Sequence, residues 1–371
     1  METIKFFSLS KQHALIKKEV FKKFEELYDS GKMSAGKEVE LFEEKFANYC
    51  GQKYCVLLNS GTAALWIIGK YLYKDGENVY VPANSFVATA SALSLARNQE
   101  VKFIDTDSTC NISLDGIKYL CQDRDLIVPV SLYGFPVDLE KIKELKPNCT
   151  ILHDCAQAVG AKLRNKMITS YGDYHIVSFY ITKNLSTSTS ESGCILTSDE
   201  KLYNFAKEMR NHGRNSVSNY DHFSLGLNFR SCELSAAILN IKLKYYPEWL
   251  DERIGIANYY LKLLNQFNCS NIQLPTINSD NKNVWHLFPV FVKNRDLVRA
   301  KLLEKGIEVN CQYPKVIPHY KAFHDLNNRN DWPVAQKQTS EVITLPIYNG
   351  LERTDQDKVI DNLIDIVEKV D

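Results

Sequence analysis

The sequence predicts an α/β protein: a large domain on a seven-stranded, mostly parallel sheet, followed by a smaller α+β C-terminal domain. Three observations predict it. Seven short apolar, β-branched runs lie between residues 54 and 197, and several are too continuously apolar for a strand with one wet face. Helical patterns separate those runs, which is the βαβ rhythm of a parallel sheet. At 371 residues the chain exceeds what one small core supports.

The first run is YCVLL at 54–58, followed by TAALWIIGKYL at 62–72, where Leu65, Ile68 and Leu72 fall on one helical face. The runs NVYV (78–81), VKFID (101–105), LIVPV (126–130), TILHD (150–154), HIVSF (175–179) and CILT (194–197) complete the seven. Beyond about residue 245 the character changes. Residues 245–264 read as a long helix beginning near Pro247, since proline suits a first turn. A strand at 285–292, a helix at 295–305, a short run at 307–311 and a last helix from Thr354 follow. The expected domains are therefore 1–245 and 246–371.

Lys+Arg and Asp+Glu both number 45, and no long basic block occurs. A field that gathers nucleic acid or an anionic membrane is thus not expected, and any acidic ligand must be held locally. No apolar run approaches the roughly 20 residues of a membrane span. Charges interleave the apolar residues of the N-terminal segment, so no signal-peptide core is read there and a cytoplasmic location is expected. Ten cysteines are scattered without a C-x-x-C pair, which suits buried reduced thiols and gives no metal motif. His153 has no second ligand at metal spacing and reads as a packed or hydrogen-bonded histidine.

Three local patterns could carry chemistry. In LLNSGTAAL (57–65) a strand ends, an Asn-Ser-Gly turn follows and a helix opens at Thr62. Free N–H groups in that first turn suit an anion, although an ordinary helix cap reads the same way. Neither a Walker loop nor G-x-G-x-x-G is present. In ILHDCAQAVGA (151–161) Asp154 ends an apolar strand at the crevice edge, where it is either a ligand carboxylate or a helix cap. Lys183 closely follows the strand HIVSF. A lysine there is a solvated surface residue, or a nucleophile whose pKa its surroundings lower. Together the three supply what pyridoxal phosphate needs: an anion cradle, a carboxylate for the ring nitrogen and a lysine for the aldehyde.

The segments GTAAL (61–65), VPANSFVATASAL (81–93), HDCAQAVGA (153–161), GDYHIVSFYITKNL (172–185), RNHGR (210–214) and LGLNFRSCELSAA (225–237) resemble the DegT/StrS family of nucleotide-sugar aminotransferases. The resemblance keeps order and spacing along nearly the whole chain. It implies a fold-type-I (aspartate aminotransferase-like) homodimer with pyridoxal 5'-phosphate at the subunit interface. In that pattern Lys183 forms the Schiff base and shuttles the proton, Asp154 faces the ring nitrogen and Gln157 sits by the ring hydroxyl. Phe86 stacks on the ring. Thr62, Ala63 and Ser178 hold the phosphate, joined by Asn228 from the other subunit. Arg230 is the candidate for a substrate anion. Relatives that carry histidine in place of the lysine resemble dehydratases, so the lysine here implies transamination.

The same resemblance implies glutamate as amino donor and a nucleotide-linked keto-hexose as acceptor. SFYITKNL and the opening FFSLSKQHALIKKEV match members acting on 3-keto-6-deoxyhexoses, with dTDP as the expected carrier; a 4-keto sugar is the alternative. Tyr180 and Tyr313 would face the hexose, although Gln312 stands where that subgroup has histidine. A non-catalytic relative that binds the cofactor or a nucleotide sugar is the alternative of another class. The intact set Asp154, Gln157, Ser178 and Lys183 speaks against it. After the lysine, STSTSESG replaces the usual glycine-rich turn, so a different path is expected for residues 186–193.

Overall fold

All seven runs pair into one sheet. The structure, a computed structural model, describes residues 3–34, 36–189, 191–215, 220–267, 269–326 and 331–370. Two helices, α1 (Ser10–Ser30) and α2 (Lys37–Cys50), precede β1 (Tyr54–Leu58). Helix α3 (Gly61–Tyr71), strand β2 (Val79–Pro82), α4 (Ala88–Arg97) and β3 (Lys102–Ile104) follow. Next come α5 (Leu114–Leu120), β4 (Leu126–Ile127), α6 (Leu139–Leu145) and β5 (Thr150–Asp154). A small hairpin of β6 (Lys162–Leu163) and β7 (Lys166–Met167), which the apolar pattern does not announce, leads to β8 (Tyr174–Ser178) and β9 (Gly193–Thr197).

The spatial order is β1-β9-β8-β5-β4-β2-β3. Strand β9 runs antiparallel to both neighbours, and the remaining pairs are parallel. Being antiparallel to the same strand, β1 and β8 run in one direction. The carboxyl ends of β1, β5 and β8 therefore open on one edge, where an α/β sheet places its ligand crevice. Alternate residues face opposite layers. Leu57, Ile151, Val177 and Leu196 enter the core under α2, whereas Val56, Leu152, Ile176 and Ile195 enter the core under α3. Burial on both faces explains why these runs are apolar throughout rather than alternating.

After α7 (Glu200–Met209), the chain enters α8 (Glu233–Phe267), which passes through Pro247 rather than starting there. The proline removes one helical N–H, but Tyr246, Trp249 and Leu250 are buried around it and their packing holds the helix together. The expected boundary at 245/246 falls inside this helix. A second antiparallel sheet joins β10 (Ile272–Gln273), β11 (Phe288–Val292) and β12 (Val342–Leu345), with α9 (Arg295–Glu304), α10 (Pro333–Glu341) and α11 (Arg353–Val370) in the same part of the chain. Residues 307–311 form isolated bridges, Ile307 to Ile4 and Asn310 to Thr344, instead of a strand. No described helix is long and apolar enough to cross a membrane.

Candidate active site

At the shared carboxyl edge lies a cavity of about 690 Å³. Its wall includes Gly61, Thr62, Phe86, Asp154, Gln157, Ser178, Tyr180, Lys183 and Tyr313. Nine of the residues singled out in the sequence thus converge from five segments that are distant along the chain.

Asp154 closes β5 and is 4% exposed. Its Oδ1 accepts the Ala156 N–H at 3.0 Å and its Oδ2 accepts the Thr89 hydroxyl at 2.8 Å. Burial pushes the carboxyl's pKa up, while those hydrogen bonds and the charge of Lys183 pull the other way. A buried carboxylate in this position wants a cation, and a protonated ring nitrogen would supply one. Gln157 is fixed by its neighbours: Oε1 accepts the Tyr133 N–H at 2.7 Å, and Nε2 donates to the Tyr313 hydroxyl at 3.3 Å. The rings of Phe86 and Tyr313 lie 5.9 Å apart, and Phe86 stands 53% exposed at the cavity mouth, free to cover a planar ligand.

Lys183 follows β8 in a turn closed by its own N–H to the Tyr180 carbonyl at 2.8 Å. Burial lowers its pKa to about 8, against the opposing pull of Asp154 and Glu191. Roughly a tenth of the amine is therefore neutral at pH 7, far more than for an ordinary lysine, as a nucleophile requires.

The anion cradle differs in detail from the expectation. Helix α3 opens at Gly61, one residue earlier than Thr62, with Ser60 as its cap. The Ser60 hydroxyl accepts the Ala63 N–H at 3.1 Å, and Ala63 is not in the cavity wall. Gly61 and Thr62 are left as the first-turn residues that face the cavity. Ser178 lies against them in the same wall; a Cβ on Gly61 would stand 3.1 Å from the Ser178 Cβ. Asn228 and Arg230 also lie outside the cavity wall. Asn228 is exposed and bridges to Asn211, and Arg230 Nη1 donates to Asn211 Oδ1 at 2.6 Å.

The Ser/Thr stretch that follows is tied down by its hydroxyls rather than left loose. Ser192 Oγ donates to the Leu58 carbonyl at 2.9 Å, Thr187 and Thr189 pair at 2.7 Å, and Ser188 meets His13 Nε2 at 2.9 Å. Lys242, itself buried, donates to Ser186 at 3.4 Å. Ser190 lies outside the described residues. Gly193 pairs with Leu58 on one side and Ser178 on the other. A Cβ there would fall 2.2 Å from the Gly61 nitrogen, which is backbone that cannot step aside. Gly193→Ala is therefore expected to destabilise the fold by about 1–3 kcal/mol and to weaken anion binding at the cradle, as thermal melts with and without cofactor would report.

Behind the sheet His153, Cys155 and His175 bring three potential metal donors within 4.8 Å. Ser131 Oγ meets His153 Nε2 at 2.8 Å, the two Nδ1 atoms lie 3.3 Å apart, and His175 Nε2 faces the Gly172 carbonyl at 3.3 Å. Burial drives both pKa values down, His175 to about 4 from an ordinary 6.5. Folded imidazoles stay neutral while unfolded ones take up protons, so this contribution is complete above pH 6.5 and is lost as the pH falls toward 4. His175 is expected to cost about 2 kcal/mol of stability by pH 5, with His153 acting in the same direction, visible as a drop in urea midpoint between pH 7 and 5.

Sequence reasoning did not assign Thr89, Glu191 or His286, although each lines the cavity. Thr89 stood inside VATASAL with no local sign that it would meet a carboxylate.

Known proteins share this fold. The model of the DegT/DnrJ/EryC1/StrS aminotransferase family matches residues 14–364. The chain is 36% identical over 364 residues to dTDP-3-amino-3,6-dideoxy-alpha-D-galactopyranose transaminase of Aneurinibacillus thermoaerophilus, covering 96% of this chain and 98% of that one. Among solved structures, DesV of S. venezuelae in complex with ketimine intermediate superposes with a TM-score of 0.93 at 30% identity, covering 100% of both chains. NtdA from Bacillus subtilis with bound cofactor PMP gives a TM-score of 0.90 at 27% identity, covering 99% of this chain and 86% of that one. A lysine, a buried carboxylate and an anion cradle at one sheet edge, on a fold shared end to end with these enzymes, place the chain in the DegT/DnrJ/EryC1/StrS aminotransferase family as a pyridoxal-phosphate-dependent sugar aminotransferase.

Proposed function

We propose that this enzyme moves an amino group from glutamate to a dTDP-linked 3-keto-6-deoxyhexose, making an amino sugar for a surface glycan or natural product. The observation that carries the reading is Lys183 beside buried Asp154 in one cavity, on a chain 36% identical to a dTDP-3-amino-sugar transaminase. Pyridoxal phosphate, when bound, supplies an aldehyde that accepts an amine and a ring that draws off electrons. Gly61, Thr62 and Ser178 would hold its phosphate, and Phe86 would cover its ring. Asp154 would keep the ring nitrogen protonated and Gln157 would brace the ring's hydroxyl side. Lys183, neutral in part near pH 7, would hold the aldehyde and then move a proton from the amino donor's carbon to the cofactor. Tyr180 and Tyr313 border the space left for the hexose.

The active unit in this reading is a cytoplasmic homodimer of two-domain subunits. Support for the dimer comes from Phe223 and Leu225, 58% and 96% exposed on the segment that carries Asn228 and Arg230. Apolar side chains so exposed call for a covering surface, and a second copy would bring Asn228 to a phosphate and Arg230 to a substrate anion. A panel of dTDP-linked 3-keto and 4-keto sugars with glutamate tests the substrate. Aminated product from 3-keto acceptors is the expected result, and product from 4-keto acceptors alone would overturn it.

A further inference from the structure

We propose that His286 is a positioning residue for Lys183, accepting a hydrogen bond through Nε2 from the lysine's nitrogen, directly or through one water, whenever that nitrogen is free. The proposal rests on the cofactor chemistry assigned to Lys183 above. His286 is 4% exposed, sits two residues before β11 and shares the cavity wall with Lys183.

Its tautomer follows from its neighbours. Asn184, the residue after Lys183, donates through Nδ2 to the Val284 carbonyl at 3.0 Å. That contact turns the amide oxygen toward His286, whose Nδ1 lies 3.3 Å from Asn184 Oδ1. An amide oxygen only accepts, so Nδ1 carries the hydrogen and Nε2 keeps its lone pair. No described residue donates to Nε2. Burial, then the positive charges of Lys183 and Arg253, keep the ring neutral.

The backbone of the same residue is held separately. Arg253, fully buried, donates to the carbonyls of Trp285 and His286 at 2.7 Å each and to that of Ile347 at 2.9 Å. The ring is thus fixed by Asn184 and its backbone by Arg253, a degree of bracing that a merely space-filling histidine does not need. A neutral acceptor here stabilises the ammonium of Lys183 and aims its nitrogen, without adding a charge that would compete with Asp154.

The test uses cofactor-free protein, so it stands apart from whether the cofactor binds. The acylation rate of Lys183 by acetic anhydride is followed by peptide mass spectrometry across pH 6–10. His286→Phe keeps a planar aromatic ring, slightly larger than imidazole, and removes the acceptor; the lysine's pKa should fall by about half a unit, raising its labelling rate at pH 7 about threefold. His286→Gln restores an acceptor and should return the rate toward wild type. His286→Leu serves the same comparison if the phenylalanine protein does not fold. ¹⁵N NMR of the wild-type imidazole, which needs no variant, should show hydrogen on Nδ1. An Nε2–H tautomer, or folded Phe and Leu variants with an unmoved Lys183 titration, would overturn the proposal. A purely structural role would lower the melting temperature and leave that titration where it was.

Discussion

Lys183→Ala is expected to abolish turnover, with kcat reduced about a thousandfold or more, while the protein stays folded. The lysine is held in a turn after β8, with its own N–H bonded to Tyr180, so its removal leaves a small gap at a cavity wall and no stranded backbone. What disappears is the one amine in the cavity whose pKa is lowered to about 8. Lys242, the other lysine brought to about 8, points to Ser186 and cannot substitute, since it is not in the cavity wall. Retained turnover in the alanine variant would place the nucleophile elsewhere.

Asp154→Asn is expected to lower kcat about a hundredfold with a smaller effect on folding. The amide matches the carboxylate in shape and its oxygen can still accept from Ala156 or Thr89. Its charge is gone, so nothing would hold a proton on the ring nitrogen of the bound cofactor and its capacity to draw off electrons would weaken. Burial already strains the carboxylate toward protonation, and losing the charge relieves that cost, so the melting temperature should hold or rise while activity falls. Steady-state kinetics beside a thermal melt separates the two effects.

The sheet was legible because strands buried on both faces must be apolar throughout, and all seven runs pair as one layer. Strand direction was not: β9 is antiparallel between β1 and β8, and CILT looks no different from its parallel neighbours. Pro247 misled the reading of α8, because a local rule about first turns yielded to the packing of Tyr246, Trp249 and Leu250. The Asn-Ser-Gly-Thr turn offers two hydroxyl residues, Ser60 and Thr62, and only the backbone reveals that Ser60 caps the helix and thereby takes the N–H of Ala63.

Lys183 and Asp154 were readable from motif spacing. Thr89 and His286 were not, since their partners lie 65 and 102 residues away and no local pattern links them. Asn228 and Arg230 stand outside this chain's cavity, so the roles expected of them rest on family resemblance and on the proposed dimer. The composition of the Ser/Thr stretch marks a departure from a glycine-rich turn but does not say where its hydroxyls go. Thr187 and Ser192 are fully buried, paired with Thr189 and the Leu58 carbonyl.

The most direct test of the central claim is borohydride reduction of the purified protein with pyridoxal phosphate, followed by peptide mass mapping. The expected result is a yellow protein whose colour is discharged by borohydride and one stoichiometric pyridoxyl adduct on Lys183. A colourless protein without an adduct, or an adduct mapped to Lys242, would contradict it.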